Sequence, residues 1–346
     1  CGGSAGRGDH NLSMHTSQLV YNARQAAADF FDAQTENVIF TSSCTHALNT
    51  AIKGVLKDGG HVVTSSIEHN SVIRPLMALS KQGKITLSIA KVYDDNSKTI
   101  DSFENAINVK TQVVICTIAG NVTGQLLPIK EIAEMCNKRN ICFIADGAQA
   151  CGIIPVSLKS GINILCTSGH KGLYGIAGTG LLVTDGKYKI EPLTQGGTGS
   201  GSLEFTQPDF MPDSLESGTL NTPGILSLKA GIDFINKRTI DDIFRYEEKL
   251  ADIFLSNMRD FDKITIYRSP NAKYVPIISF NVKDIPSEKF ASYLNEKGFC
   301  LRAGFHCSAM AHKSLGTENG TIRFAPSVFN TESDVKKLCL TIKNAF

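Results

Sequence analysis

The stretches FIADGAQA (143–150) and CTSGHKG (166–172) decide the fold that we predict. Each closes a short apolar run typical of a buried strand, the first at Asp146 and the second just before Lys171. Open α/β sheets bind ligands at the carboxyl ends of their strands. We therefore expect an acid and an amine to converge at one edge of a sheet.

The same alternation extends along the chain on both sides of these stretches. From about residue 15 to about residue 185, short apolar runs alternate with amphipathic stretches such as Ile129–Lys138, as in strands joined by crossover helices. The predicted strands are Val38–Thr41, His61–Ser65, Ile85–Ala90, Gln112–Thr117, Cys142–Asp146, Ile162–Thr167 and Gly180–Thr184. The sequence therefore predicts an α/β fold with a mostly parallel seven-stranded sheet.

The pattern changes after a segment rich in Gly, Ser and Thr, TQGGTGSGSLEF (194–205). A long helix is predicted at about Thr222–Asn236, and residues 238–346 then suit the order helix, strand, strand, helix, strand, strand, helix. This order is typical of a smaller α+β unit. We expect a large domain over residues 1–237 and a small C-terminal domain over 238–346, with a ligand site at their seam.

Composition excludes several classes of protein. The 346 residues are 42% hydrophobic and 20% charged, as in soluble globular proteins, and the net charge of +2 gives no reason to expect nucleic acid or an anionic membrane as a partner. There is no apolar run of membrane-spanning length, no signal peptide and no CxxC pair. We expect a cytoplasmic protein without a metal site, whose partners are small molecules and other proteins.

An acid and a lysine at neighbouring strand ends are what pyridoxal 5′-phosphate (PLP) requires. The cofactor aldehyde bonds to a lysine amine, and the acid keeps the pyridine nitrogen protonated, so that the ring becomes an electron sink. The phosphate group needs backbone amides at a helix start. FTSSCTHALNTAI (40–52) supplies a strand, a small polar turn and an amphipathic helix.

Six motifs in order resemble the class V aminotransferase family, and within it the cysteine desulfurases and selenocysteine lyases of the SufS type. They are SSIEHNS (65–71), AGNVTG (119–124), ADGAQA (145–150), SGHKG (168–172), ESGTLNT (216–222) and RAGFHC (302–307). They span nearly the whole chain. The resemblance implies fold type I of the PLP-dependent enzymes and a homodimer with active sites at the subunit interface.

The resemblance also implies a role for each motif residue around the cofactor ring. Lys171 matches the lysine that bonds to the cofactor, and Asp146 matches the acid that pairs with the pyridine nitrogen. Gln149 matches the side chain that hydrogen-bonds the phenolic oxygen. His69 matches the imidazole that stacks on the ring and can transfer protons, and Asn121 matches a residue beside the cofactor oxygen and the substrate.

The phosphate contacts that the resemblance implies come from two subunits. They are Cys44, Thr45, Ser168 and His170 and, from the other subunit, Gly218 and Thr219. The family often has two threonines where this chain has Cys44 and Thr45, so one hydroxyl is replaced by a thiol while the backbone contact is kept. If the assignment holds, the dimer is needed for full cofactor binding.

Cys307 decides the reaction that we predict. LRAGFHCSA (301–309) places a thiol on a glycine-containing loop with His306 beside it and Arg302 upstream, and a nearby cation favours the thiolate. In the family this cysteine takes the sulfur of the substrate and becomes a persulfide. Arg323 in GTIRFAPS (320–327) resembles the arginine that forks onto the substrate carboxylate, and Arg302 is a second candidate.

The sequence departs from the family pattern in three places. Phe305 replaces a histidine in the family's GHHC. The short segment AMAHKSLGTENGTIR (309–323) predicts a compact loop, as in the SufS type, and favours a dedicated sulfur-acceptor protein. The chain starts at Cys1 rather than at a methionine, so we expect that a preceding segment is missing, together with the NAA-type loop that family members carry near the substrate.

Together these features predict a PLP-dependent cysteine desulfurase that converts L-cysteine to L-alanine and forms a persulfide on Cys307. The persulfide would supply iron–sulfur clusters or thio-cofactors. A selenocysteine lyase acting on L-selenocysteine would need the same lysine and could use the same thiol. An aminotransferase or lyase in which Cys307 is structural, and a non-catalytic scaffold, remain as alternatives.

Overall fold

The computed structural model of the chain describes residues 3–6, 8 and 10–346, so the expectation that concerns Cys1 lies outside the described residues. It contains a seven-stranded sheet and a four-stranded sheet. The predicted α/β class, with a mostly parallel seven-stranded sheet and a smaller α+β part, is confirmed.

The large sheet carries the chain's first seven strands. They are β1 (Val38–Thr41), β2 (Gly60–Ser65), β3 (Ile85–Ala90), β4 (Thr111–Thr117), β5 (Cys142–Asp146), β6 (Ile164–Ser168) and β7 (Gly180–Thr184). Their order across the sheet is β1-β7-β6-β5-β4-β2-β3. β7 runs antiparallel to both of its neighbours, and the other pairs are parallel. The carboxyl ends of β2, β4, β5 and β6 therefore meet at one edge.

Helices cover both faces of this sheet because its strands are apolar on both faces. Alternate residues of β5 point to opposite faces, so Phe143 belongs to one buried cluster and Ile144 to the other. The helices of this part are α1 (Asn11–Phe31), α2 (Cys44–Val55), α3 (Asn70–Lys81), α4 (Asn96–Ala106), α5 (Ile129–Lys138) and α6 (Thr222–Arg238). α2 and α3 pack in the cluster of Ile144, and α1, α5 and α6 pack in that of Phe143.

The C-terminal part is built on a second, fully antiparallel sheet of order β10-β11-β9-β8. Its elements are α7 (Ile240–Met258), β8 (Ile264–Ile266), β9 (Ile278–Val282), α8 (Ser287–Glu296), β10 (Arg302–Gly304), α9 (Ala309–Leu315), β11 (Thr321–Phe324) and α10 (Glu332–Lys343). α9 occupies the segment that the sequence predicted as a compact loop. The domain boundary near residue 238 stays a prediction.

Among the residues that the structure describes, no helix is both long enough and apolar enough to cross a membrane.

Candidate active site

Four strand ends of the large sheet supply the predicted polar residues. Asp146 ends β5, and it lies beside Thr117 of β4 on one side and Cys166 of β6 on the other. Lys171 follows β6, Asn121 follows β4 and His69 follows β2. The edge predicted from the sequence therefore exists, with the acid at its centre.

The Asp146 carboxyl group is held in place from two directions. The side chain is buried, and its Oδ1 accepts hydrogen bonds from the Ala148 amide at 2.9 Å and from the Cys44 thiol at 3.5 Å. Burial, together with the negative charge of Asp146, raises the pKa of Cys44 well above its ordinary value. Cys44 is therefore a protonated thiol that donates to the acid.

The start of α2 offers donors for an anion. Ser43 caps the helix by accepting from the His46 amide at 3.2 Å, and no described group accepts from the amides of Cys44 and Thr45. Ser168 is buried, and its hydroxyl has no partner among the described residues. Unpaired amides at a helix N-terminus and an unpaired hydroxyl are what a phosphate group requires.

A close backbone approach brings Ser168 to this helix start. Ser168 pairs with Gly180 of β7, and a Cβ at Gly180 would lie 2.5 Å from the carbonyl carbon of Ser43. Any side chain there would push the strand away from α2. His170, the other predicted phosphate contact on this side, is exposed as a whole residue, and partial desolvation of its ring, followed by the charge of Lys171, lowers its pKa.

His69 caps α3 with its own ring. Its Nδ1 accepts from the Ser71 amide at 3.0 Å and lies 2.9 Å from the Ser71 hydroxyl, which in turn lies 2.7 Å from Thr45 Oγ1. Burial lowers the pKa of His69, the charge of Asp146 opposes that shift, and the charge of Lys171 adds to it. The ring is therefore neutral, and because Nδ1 is an acceptor we assign the proton to Nε2.

Asn121 connects the predicted cofactor residues with the predicted substrate residues. Its Oδ1 accepts from Gln149 Nε2 at 2.7 Å and from Arg323 Nη1 at 2.8 Å. Its Nδ2 donates to the His306 carbonyl and to Ser308 Oγ, the latter at 3.1 Å. One buried amide thus fixes Gln149, Arg323 and the loop that carries Cys307. Sequence reasoning missed Ser308, since a serine in a loop carries no distinctive signal.

Two arginines face each other across neighbouring strands. Arg302 of β10 pairs directly with Arg323 of β11, a like-charge arrangement that is unfavourable without an anion. Burial and the charge of Arg302 lower the pKa of Arg323 to about 10, and its buried Nε has no partner among the described residues. The pair is suited to bind a carboxylate.

The loop of Cys307 has an unusual backbone. His306 and Cys307 have φ angles of 49° and 58°, in the left-handed region that non-glycine residues seldom occupy. The Cys307 carbonyl accepts from the Asn70 amide at 2.8 Å, which ties the loop to the first turn of α3. The thiol is exposed, and Arg302 Nη2 lies 3.5 Å from its sulfur.

Only one of the two predicted neighbours of the thiol can act as a cation. His306 is buried, and its Nε2 lies 3.0 Å from both the carbonyl and the hydroxyl oxygen of Thr321. Burial, with a smaller contribution from the charge of Arg323, lowers its pKa to about 3. The expectation that His306 assists the thiolate is therefore wrong, because the ring is neutral and bonded elsewhere. Arg302 is the cation at the thiol.

Gly218 and Thr219 follow the buried Glu216, and Thr219 lines a surface pocket together with Ser42 and His46, beside the start of α2. Gly218 and Thr219 are exposed, and the Gly218 amide donates to the Gly197 carbonyl at 2.9 Å. Their segment begins at Glu216, whose buried carboxylate receives two bonds from Arg24, at 2.7 and 2.8 Å. Their contact with a cofactor in a second subunit stays a prediction.

A cavity of about 330 Å³ opens beside Lys171 and Gln149. Its lining also includes Val275 and Ile277, which precede β9, and Pro326, which follows β11. The cavity thus lies between the large sheet and the C-terminal sheet, where the sequence predicted the ligand site.

Glu68 is a buried acid that sequence reasoning missed. Its side chain is fully buried, and Oε1 accepts from the Thr117 amide at 2.9 Å and from the Ser65 hydroxyl. Oε2 has no partner among the described residues, and burial raises the pKa to about 8. The carboxyl group is therefore neutral at pH 7 and joins the ends of β2 and β4.

The raised pKa of Glu68 predicts a fall in stability with rising pH. Between about 4.5, the ordinary value, and about 8, the folded state holds a proton that the unfolded state releases, so stability is lost as pH rises through this range. Glu68→Gln removes this titration. We expect the melting temperature of Glu68→Gln minus that of wild type to be about 5 °C more positive at pH 8.5 than at pH 5.5. Calorimetry of both proteins at the two pH values measures this difference.

Glu134→Gln is the control for this comparison because Glu134 is an exposed glutamate on α5. It should follow the wild-type pH dependence. If Glu68→Gln loses stability between the two pH values as steeply as wild type does, Glu68 is not a protonated acid in the folded protein.

Comparison with known proteins places these features in a family. A family model described as aminotransferase class-V matches residues 2–338. A probable cysteine desulfurase of Methanothermobacter thermautotrophicus is 30% identical over 353 residues, covering 98% of this chain and 87% of the relative. A cysteine desulfurase of Haloferax volcanii is 27% identical, covering 96% of this chain and 80% of the relative.

Solved structures agree with the sequence comparison. The apo structure of a cysteine desulfurase from Thermococcus onnurineus superposes with a TM-score of 0.91 at 26% identity, covering 99% of this chain and 88% of that one. The cysteine desulfurase CsdA of Escherichia coli gives a TM-score of 0.87 over 98% of this chain and 86% of that one. At 21% identity, the second likeness shows the fold alone.

Proposed function

Because this chain belongs to the class V aminotransferase family, we propose that it is a PLP-dependent cysteine desulfurase, which converts L-cysteine to L-alanine and retains the sulfur on Cys307. The observation that carries the proposal is the exposed Cys307 thiol, 3.5 Å from Arg302. The loop of that thiol is bonded to Asn121, which also holds Arg323 and Gln149.

The residues present fit PLP. The unpaired Ser168 hydroxyl and the free amides of α2 suit its phosphate, and the Asp146 carboxylate suits its pyridinium nitrogen. Lys171 would hold the aldehyde carbon. When bound, the cofactor withdraws electrons from the α-carbon of the substrate. His69 lies in the field of both Asp146 and Lys171, as a ring stacked over the cofactor would.

The two facing arginines would bind the substrate carboxylate. Arg323 Nη1 is already held by the carbonyl and amide oxygens of Asn121, at 2.9 and 2.8 Å, which leaves the other edge of its guanidinium for the substrate. A carboxylate between Arg323 and Arg302 would offset their mutual repulsion. This placement would direct the side chain of the bound cysteine towards Cys307, because Arg302 lies 3.5 Å from the thiol and would also contact the carboxylate.

Sulfur transfer then needs a thiolate and a proton. Cys307, whose sulfur lies 3.5 Å from Arg302 Nη2, attacks the sulfur of the substrate as a thiolate. The new S–S bond forms as the C–S bond breaks, and the electron pair of that bond stays on the carbon, which takes a proton to give alanine. Lys171 would move the α-proton, and the Nε2 proton of His69 is a second source.

Three observations favour this function over its alternatives. The curated relatives and the solved neighbours named above are called cysteine desulfurases, which favours L-cysteine over L-selenocysteine. Of the nine described cysteines, seven are buried, while Cys300 and Cys307 are exposed, which argues against a purely structural Cys307. An intact Lys171 and Asp146 argue against a scaffold.

The proposal extends to the assembly and its setting. Exposed Gly218 and Thr219, and the fully exposed Phe205 before them, support a homodimer in which this segment reaches the second active site. Nine described cysteines without a disulfide support a reducing, cytoplasmic location. The exposed persulfide would pass to a sulfur-acceptor protein, with iron–sulfur cluster assembly as the use of the sulfur.

The test is a visible absorbance spectrum of the purified protein before and after L-cysteine, with alanine and sulfide measured in the same sample. We expect a cofactor band that shifts on addition of cysteine, and alanine and sulfide in equal amounts when a thiol reductant is present. A band without sulfide would support an aminotransferase instead. No band, even after addition of PLP, would contradict the proposal.

A further inference from the structure

Cys44 departs from the family pattern, and the structure gives it a role other than phosphate binding. It is the first residue of α2, where its backbone amide remains free. Its side chain turns inward to Asp146 Oδ1, at 3.5 Å, and is only 8% exposed. The thiol therefore contacts the acid that is predicted to pair with the pyridine nitrogen and does not extend into the phosphate site.

The two donors to Asp146 share one oxygen. The Ala148 amide and the Cys44 thiol both bond Oδ1, and no described residue donates to Oδ2. Asp146 is only 3% exposed, and Oδ2 is the oxygen that these two donors leave open to a further polar partner. Since both donors lie on Oδ1, rotation of the carboxylate would break two bonds, and Oδ2 stays directed at that partner.

We propose that Cys44 is a positioning residue, whose thiol proton holds Asp146 Oδ1 so that Oδ2 faces the pyridinium nitrogen of the cofactor. This inference rests on the proposed function, because it concerns the same cofactor. A thiol is a weak donor, so it orients the carboxylate while leaving most of the negative charge on it. A strong hydroxyl donor at this place would reduce that charge.

The chain offers a matched control in Cys166. It is fully buried, lies directly beside Asp146 in the neighbouring strand, and makes no hydrogen bond to it. Cys44→Ala and Cys166→Ala each remove one sulfur atom, and both cysteines lie beside Asp146. Only the first change removes a donor from the carboxylate, so a general effect of a small cavity would appear in both variants.

The experiment titrates the visible band of the bound cofactor between pH 6 and 10 in wild type, Cys44→Ala, Cys44→Ser and Cys166→Ala. Loss of a donor leaves more negative charge at Asp146, and we expect the midpoint to rise by about 0.3 to 1 pH unit in Cys44→Ala. The dissociation constant of PLP from the resolved protein should rise about 3- to 10-fold. Cys166→Ala should match wild type in both measurements.

The serine variant covers the case in which Cys44→Ala does not fold. Its hydroxyl is a stronger donor than the thiol and reduces the negative charge on Asp146, so its midpoint should fall where that of alanine rises, and Cys166→Ala should again not move. Equal shifts in the Cys44 and Cys166 variants, or no shift in either Cys44 variant, would overturn the inference. A wild-type protein without a cofactor band would contradict the proposed function itself, which makes the two failures distinguishable.

Discussion

Cys307→Ala should keep the cofactor band and lose sulfide release by about 10³-fold or more, the loss expected when a nucleophile that forms a covalent intermediate is removed. Cofactor binding should persist because Cys307 contacts Arg302 and not the strand ends that carry Asp146 and Lys171. The measurements are the visible spectrum, sulfide and alanine production, and the mass of the protein after a single turnover.

Cys300→Ala is the matched control, because Cys300 is the other exposed cysteine among those described. It should retain turnover and gain one sulfur atom in the mass spectrum, as wild type should, whereas Cys307→Ala should gain none. Sulfide formed at an unchanged rate by Cys307→Ala would exclude a persulfide on this residue and favour a lyase of the same fold.

Lys171→Ala should abolish alanine production, with a loss of at least about 10⁴-fold, because one residue supplies both the covalent bond to the cofactor and proton transfer at the substrate. Borohydride should fix the cofactor to wild type but not to this variant. Lys189→Ala is the control, since Lys189 is a solvent-exposed lysine that lies after β7.

Two results would contradict this assignment. One is borohydride labelling that persists in Lys171→Ala, which would place the bonded amine on another lysine. The other is turnover in Lys171→Ala within tenfold of wild type, which would show that the covalent bond is not needed. Loss of activity in Lys189→Ala would indicate a general effect on the fold rather than a specific role for Lys171.

The strands of the large sheet could be predicted from the sequence because their signal is local. Val38–Thr41, Ile85–Ala90, Cys142–Asp146 and Gly180–Thr184 have the predicted bounds. β6 begins at Ile164 rather than at the predicted Ile162, because the side-chain oxygen of Asn163 accepts the hydrogen bond from the Phe143 amide, at 2.8 Å. Apolar content alone cannot distinguish a buried residue that is paired in a β-strand from a buried residue that lies just outside the strand.

The order of the motifs predicted which residues lie at the site, but it did not predict the directions of their side chains. The residues at the ends of β4, β5 and β6 lie where the pattern placed them, since strand ends fix their positions. The thiol of Cys44, the ring of His306 and the acid of Glu68 required side-chain directions. Each is decided by a partner distant in sequence, such as Asp146 for Cys44.

The left-handed backbone at His306 and Cys307 has a consequence for sulfur delivery. Two such residues cost on the order of 1 to 2 kcal/mol each, and here the hydrogen bonds to the carbonyls of both residues hold them in place. A loop anchored in this way cannot swing outward like a carrier arm without breaking those bonds. The delivery point is therefore stationary, and an acceptor must bring its own thiol to the surface of the enzyme.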